Sequence, residues 1–420
     1  MPSHTSTPNN SPASSPSTSP LSSLIAPSCK PNIVDILSEH ACEYSPKKAA
    51  EILYNASVVG IGEGTHRAGE MFQAQSDIIK ERIAHNNCRV VFIEADASDV
   101  SEISEAMKEG DKVKVTKLLQ ELSFYTLSNK GINDLINYIT EWNKENPDDL
   151  VKLVGLDVQT RGATKLLREA AQKMDVTNPL QSIIETFCSS WDTACAMEKK
   201  GQANSKNLQK MWKEISKSGL DLLPLLVDSQ SKVACDSLAQ WARLRSLSDE
   251  EGSSGRDALM ANRINSYHLR DGVSAAVIAH NGHLTFAPRS TFSDGMGSQI
   301  EQIAIRPYKV LLQLTETGTL AGLPKDPTGE KNKAFPALAQ NDIESLLALV
   351  AKKLNTEKPI LINIDKLKDD HLASEIREHV FNVNSIGINM PFSTTFTIKL
   401  GECCNVILFH RNVTPEEWVK

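Results

Sequence analysis

Long apolar runs are missing from this chain of 420 residues. None approaches the roughly 20 residues that a membrane-spanning helix needs, and the first residues lack a basic stretch followed by an apolar one. A soluble, cytoplasmic protein without a cleaved signal is expected. Positive charge is also short, because 45 Lys and Arg face 52 Asp and Glu, a net charge of −7. No global positive field would gather nucleic acid or an anionic membrane, so neither is expected as a partner. Paired cysteine motifs are missing too: the eight cysteines contain no Cys-x-x-Cys and no dense spacing framework, which predicts reduced thiols. Cys88 could act as a nucleophile only if a base reached it, and Cys403-Cys404 reads as buried or incidental. There is no G-x-S-x-G elbow, no G-x-x-x-x-G-K-S/T loop and no H-E-x-x-H, so covalent serine hydrolysis has little support.

Residues 1–30 are rich in Ser, Thr, Pro and Asn, a composition that cannot bury enough apolar surface to offset the entropy of ordering. They are expected to form a disordered leader ahead of one α/β domain over 31–420. Within that domain, strands are expected at about 57–62, 89–94, 151–156, 273–279, 309–314, 359–364 and 405–410. Helices are expected at 69–84, about 100–122 and 132–143. This alternation predicts a mostly parallel central sheet flanked by helices. Between about 163 and 250 the apolar periodicity is helical throughout, which predicts a helical insertion or subdomain. Gly252-Ser253-Ser254-Gly255 reads as a break before the next helix, and the stretch 320–335 as a loop or flap.

Chemistry gathers at the ends of the apolar runs. Val58-Val59-Gly60-Ile61 leads into Gly62-Glu63-Gly64-Thr65-His66, and Ala275-Ala276-Val277-Ile278 leads into Ala279-His280-Asn281-Gly282-His283. Ligand sites in open α/β sheets form outside the carboxyl ends of parallel strands, where both segments would sit. The glycines would allow a tight turn, and Glu63 three residues before His66 makes an acid–base pair. Glu94 and Asp157 close two further apolar runs in the same way. Charges are rarely kept at the ends of buried strands unless paired or functional, so the repetition says more than any one member. His280 and His283 could be two metal ligands, a base and its partner, or polar groups satisfied at a strand end. Arg256-Asp257 reads as a helix opening, with Asp257 as a plain cap.

Six ordered blocks resemble the erythromycin esterase family. They are Gly62-Glu63-Gly64-Thr65-His66 with Glu70 and Phe72, Val91-Phe92-Ile93-Glu94, Gly155-Leu156-Asp157-Val158-Gln159, Arg256 to Asn262, Ala279 to His283, and Val406-Ile407-Leu408-Phe409. The resemblance implies a hydrolase without a metal or other cofactor, acting on a small-molecule ester. In that scheme His66 is the general base, Glu63 and Glu94 orient it or the water, and His280 and His283 hold the substrate carbonyl. Arg67, Gln75, Asp157, Gln159 and Arg256 become candidate substrate-binding residues. Two positions depart from the family: Arg67 stands where members usually have Gly, and Gln75 where they usually have an active-site arginine. The rival readings are a metal-dependent hydrolase or transferase using Glu63, His66, His280 and His283, and a diverged binding or effector protein. A monomer is the default expectation.

Overall fold

The computed structural model describes residues 33–122, 127–159, 162–175, 177–202, 205–267, 269, 272–286, 295–303, 307–322, 332–335, 338–339, 342–368, 376–386 and 393–419. The expected leader at 1–30 lies outside them.

Eleven strands are present among these residues: β1 (Ala41–Glu43), β2 (Val58–Glu63), β3 (Cys88–Asp96), β4 (Lys152–Asp157), β5 (Ser274–His280), β6 (Tyr308–Ala321), β7 (Asn332–Ala334), β8 (Ile360–Asn363), β9 (Val380–Ile386), β10 (Ser393–Lys399) and β11 (Val406–Val413). Nine form one sheet in the order β1-β8-β11-β6-β2-β5-β3-β4, with β7 paired to β6. The run from β11 to β4 is parallel throughout, and β8 and β1 close one edge antiparallel. The expected α/β architecture with a mostly parallel sheet is therefore observed.

The central strands are apolar because both faces are covered. Every residue of β2 and β5 is buried. Alternation divides them: Val58, Phe92 and Val277 enter one core with Met260, Ile264 and Leu347, while Val59, Val91 and Ile278 enter the other with Ile78, Ile79 and Ile136. The helix Gly69–His85 thus covers one face and Asp249–Ser266 the other. Register sets the site, since Glu63 pairs with His280 and Ile93 with Ile278, bringing three polar strand ends to one edge.

Four helices, Ala163–Gln172, Pro179–Met197, Lys206–Leu222 and Ser229–Arg245, pack around a third core in which the Trp191 and Trp212 rings meet edge-on at 5.1 Å. No strand occurs among the described residues of this stretch.

Several boundaries differ from expectation. Gly252 to Gly255 do not break the chain but lie inside the Asp249–Ser266 helix, which a Ser248/Glu251 capping box starts. A Cβ on Gly255 would lie 2.8 Å from the Leu244 side-chain methyl, so this glycine sits against a neighbouring helix end. Asp257 is consequently an interior helical residue and no cap. The single helix expected at 100–122 is two, separated by Gly110 at φ 70°, with Asp111 capping the second. β6 extends to Ala321 and pairs with β7 inside the stretch read as a loop, while 323–331 lie outside the described residues. The β9/β10 hairpin was not expected from the sequence pattern. No helix among the described residues is long and apolar enough to cross a membrane.

Candidate active site

β2 ends at Glu63, and the chain leaves the sheet through Gly64 and Thr65 to His66. The glycines of this motif serve approach, not a turn requiring positive φ. A Cβ on Gly62 would run into Asn281 Oδ1, and one on Gly64 would lie 2.8 Å from the Gln313 carbonyl oxygen. Asn281 and Gln313 can therefore lock the segment after β5 against the motif through Asn281 Nδ2 donating to Gln313 O at 2.8 Å. Gln313 Nε2 in turn donates to the Gly62 and Met71 carbonyls. His410 stands behind Gln313 at 3.0 Å; its complete burial pushes its pKa down to about 4, so it supports the framework as a neutral ring.

Glu63 and His66 are both buried, at 1% and 5% exposure, and His66 Nδ1 lies 3.0 Å from Glu63 Oε1. The other carboxyl oxygen accepts from Gln75 Nε2 at 2.5 Å, and Gln75 also donates to Ile61 O at 2.9 Å. Burial, the largest influence, together with the charge of Glu94 leaves the Glu63 carboxyl raised above its ordinary value, although the His66 and Gln75 hydrogen bonds pull it down. With Nδ1–H donating to the carboxylate, Nε2 becomes the basic nitrogen of a neutral His66. Gln75 is fully buried and thus supports the dyad from behind.

The second half of the site is an ion network. Arg256 grips Asp157 with two hydrogen bonds, at 3.0 and 2.8 Å, and reaches Glu94 Oε1 at 2.8 Å. His283 Nδ1 lies 2.5 Å from Asp257 Oδ1, and its Nε2 lies 3.3 Å from Glu94 Oε1. Burial opposes the charge on His283, but Asp257 and Glu94 overcome it and raise the pKa to about 10. Burial would likewise raise Glu94, yet the His283 and Arg256 cations hold it well below the carboxylate range. The remaining Glu94 oxygen accepts from the His280 backbone N–H at 2.9 Å, which ties the end of β3 to the end of β5.

His280 links the halves. Its Nδ1 accepts from the Gly282 N–H at 3.2 Å, so a neutral ring carries its proton on Nε2. Its ring centre lies 5.0 Å from that of His66.

Glu63, His66, Glu94, His280, His283, Asp157 and Arg256 thus lie together at one edge of the sheet. Gln159 is half-buried beyond the end of β4. Arg67 is 2% exposed, so it points inward and is no solvent-facing side chain. Cys88 is fully buried and its thiol is pushed up by burial, which removes it as a nucleophile. Asp257 was missed as the partner of His283, and Gln75 as the donor to Glu63. The only local signal for Asp257 was its place beside Arg256. Among the described residues, no group of three or more His, Cys, Asp and Glu side chains is arranged to hold a metal ion.

The parallel α/β sheet carries its paired acids and histidines at the carboxyl edge, where ligand sites form in such sheets. The chain belongs to the erythromycin esterase family, whose model matches residues 83–411. Glu63 and His66 lie ahead of that stretch. Among solved structures, the chain is similar to a succinoglycan biosynthesis protein, with a TM-score of 0.74 and 16% identity over 93% of this chain and 98% of that one. It is also similar to a Bacillus cereus protein, at 0.70 and 16% over 92% and 98%. A third neighbour is the erythromycin esterase EreC, captured as a histidine-to-asparagine mutant in its open conformation, at 0.64 and 17% over 89% and 95%. At these identities the likeness is one of fold. No curated protein matches the chain.

Proposed function

We propose that this protein is an esterase-type hydrolase in which His66 activates water. The observation that carries the reading is the buried Glu63–His66 pair, in which the Glu63 carboxyl holds His66 Nδ1 at 3.0 Å. His66 Nε2 takes a proton from water as the water oxygen attacks the ester carbonyl carbon. The tetrahedral oxyanion collapses, the carbon–alkoxy bond breaks, and the imidazolium returns the proton to the leaving alcohol, leaving the carboxylic acid. His280, carrying its proton on Nε2 beside His66, donates to the carbonyl oxygen as charge develops there. His283 holds its proton too tightly to exchange it at neutral pH. It serves as a fixed positive charge, kept in place by Asp257 and Glu94. Arg256 and Asp157 set the wall of the site.

The substrate class is a small-molecule ester, and the chemistry draws only on side chains and water. The protein works in the cytoplasm as a monomer, without nucleic acid or membrane. The test is a panel of p-nitrophenyl esters and macrolide lactones, assayed before and after chelator dialysis. Release of one acid per alcohol, unchanged by the chelator, is the expected result. Chelator-sensitive turnover would replace this mechanism with a metal-dependent one, and inertness toward every ester would remove the hydrolase reading.

A further inference from the structure

One buried acid at this site has no task in the scheme above. Residues Thr414–Val419 run as a strap across the first motif: Gly69 N donates to Thr414 O at 3.0 Å, Glu416 N to Arg67 O at 3.2 Å, and Ala68 and Pro415 form an antiparallel bridge. The strap continues to the Lys130–Glu145 helix, where Lys130 N donates to Glu417 O at 2.9 Å and Val419 N to Ser128 O at 2.9 Å. These bonds place the Glu416 side chain inside, at 5% exposure, and neither carboxyl oxygen has a hydrogen-bond partner. Its electrostatic neighbours are Glu63 and Arg67. The other charges near the strap lie outward. Glu70 accepts from Thr414 at the surface, and Lys130 pairs with the exposed Glu417.

We propose that Glu416 is a positioning residue of the active site, held as a neutral carboxylic acid so that the Glu63 carboxylate orients His66 without a further negative charge beside those of Glu63 and Glu94. The inference rests on the reading of Glu63 and His66 as the working dyad. Two carboxyl groups in one dry site cannot both ionise cheaply, and the one with hydrogen-bond donors gives up its proton first. Glu63 has the His66 and Gln75 donors; Glu416 has none. Burial, with repulsion from Glu63, pushes Glu416 well above the carboxylate range, and Arg67 only partly offsets this. Ionising Glu416 would add a negative charge to those of Glu63 and Glu94 and favour the imidazolium, the form that cannot take a proton from water.

The test compares the melting temperature of the full chain with that of Glu416→Gln, from about pH 5 to about pH 9. A folded pKa raised above the unfolded value means the folded chain keeps a proton that the unfolded chain has released. The wild type then loses stability as pH rises from about 4.5 toward the folded pKa, while the Gln variant escapes that loss. The variant should melt at least about 2 °C higher relative to wild type at the alkaline end than at the acid end. An ionised Glu416 paired with Arg67 predicts the opposite sign, with the variant losing stability at neutral pH, and that result would overturn the proposal.

A second readout follows the His66 ring by nitrogen NMR across the same range. With Glu416 neutral, the wild-type ring should respond as that of Glu416→Gln does at neutral pH and depart from it only toward alkaline pH, where Glu416 ionises, with Glu416→Asp behaving as the wild type. A wild-type ring that already differs from Glu416→Gln at neutral pH, or that matches it at every pH until the fold is lost, would end the positioning role. Neither readout needs a substrate, so failure of every ester assay would count against the hydrolase reading alone.

Discussion

Glu63 and His280 are register partners on adjacent parallel strands, and the ring of His280 stands 5.0 Å from that of His66. The pairing of β2 with β5 therefore does more than build a sheet, because it brings the two imidazoles at the strand ends together.

His66→Ala should lower ester turnover by about 100-fold or more, the usual worth of a positioned general base. The fold should persist, at a cost of about 1–3 kcal/mol for leaving Glu63 Oε1 without its donor. Steady-state kinetics beside near-UV circular dichroism would decide it, and wild-type turnover would remove His66 from the mechanism.

Gln75→Ala should leave Glu63 Oε2 and the Ile61 carbonyl without their donor, a cost of about 1–3 kcal/mol. Activity should fall through kcat more than KM, since the side chain supports the dyad from behind. A change confined to KM would instead make Gln75 a substrate contact.

His283 carries a proton to about pH 10 in the fold, against about 6.5 for an ordinary histidine. Its contribution to stability is fully present below about pH 6.5 and is lost as pH rises through about 10, because over that interval only the folded state holds the proton. Urea unfolding should therefore show wild type and His283→Gln converging as pH rises. A gap that widens with pH would mean that His283 is not held as the imidazolium.

Arg256→Met removes the cation between two buried carboxylates, Asp157 and Glu94. Breaking a buried pair from one side costs about 3–5 kcal/mol. Adding Asp157→Asn should recover part of the loss, since the two positions are coupled; strictly additive effects in urea unfolding would argue against the network.

The local patterns were legible where they depend on neighbours in the chain. Val58 to Ile61 and Ala275 to Ile278 are short apolar runs ending in polar groups, so the strands and the edge carrying Glu63 and His280 followed from composition and order alone. Gly252 to Gly255 misled for the same reason. A glycine inside a helix looks like a break until Leu244 is seen packed against it. The β9/β10 hairpin and the antiparallel edge of β8 and β1 depend on which strands meet, and short windows do not encode that.

What the sequence by itself determined is the parallel α/β class, the acids and histidines at strand ends, and the family. Tertiary structure alone decided the partners: Asp257 for His283, Gln75 for Glu63, and the strap that buries Glu416 beside Arg67. A strand or helix is written in residues a few positions apart, whereas Glu63 and Glu416 are brought together only when distant segments share one low-dielectric interior. Burial and the supply of hydrogen-bond donors then settle which acid keeps its proton, and both are properties of the folded chain.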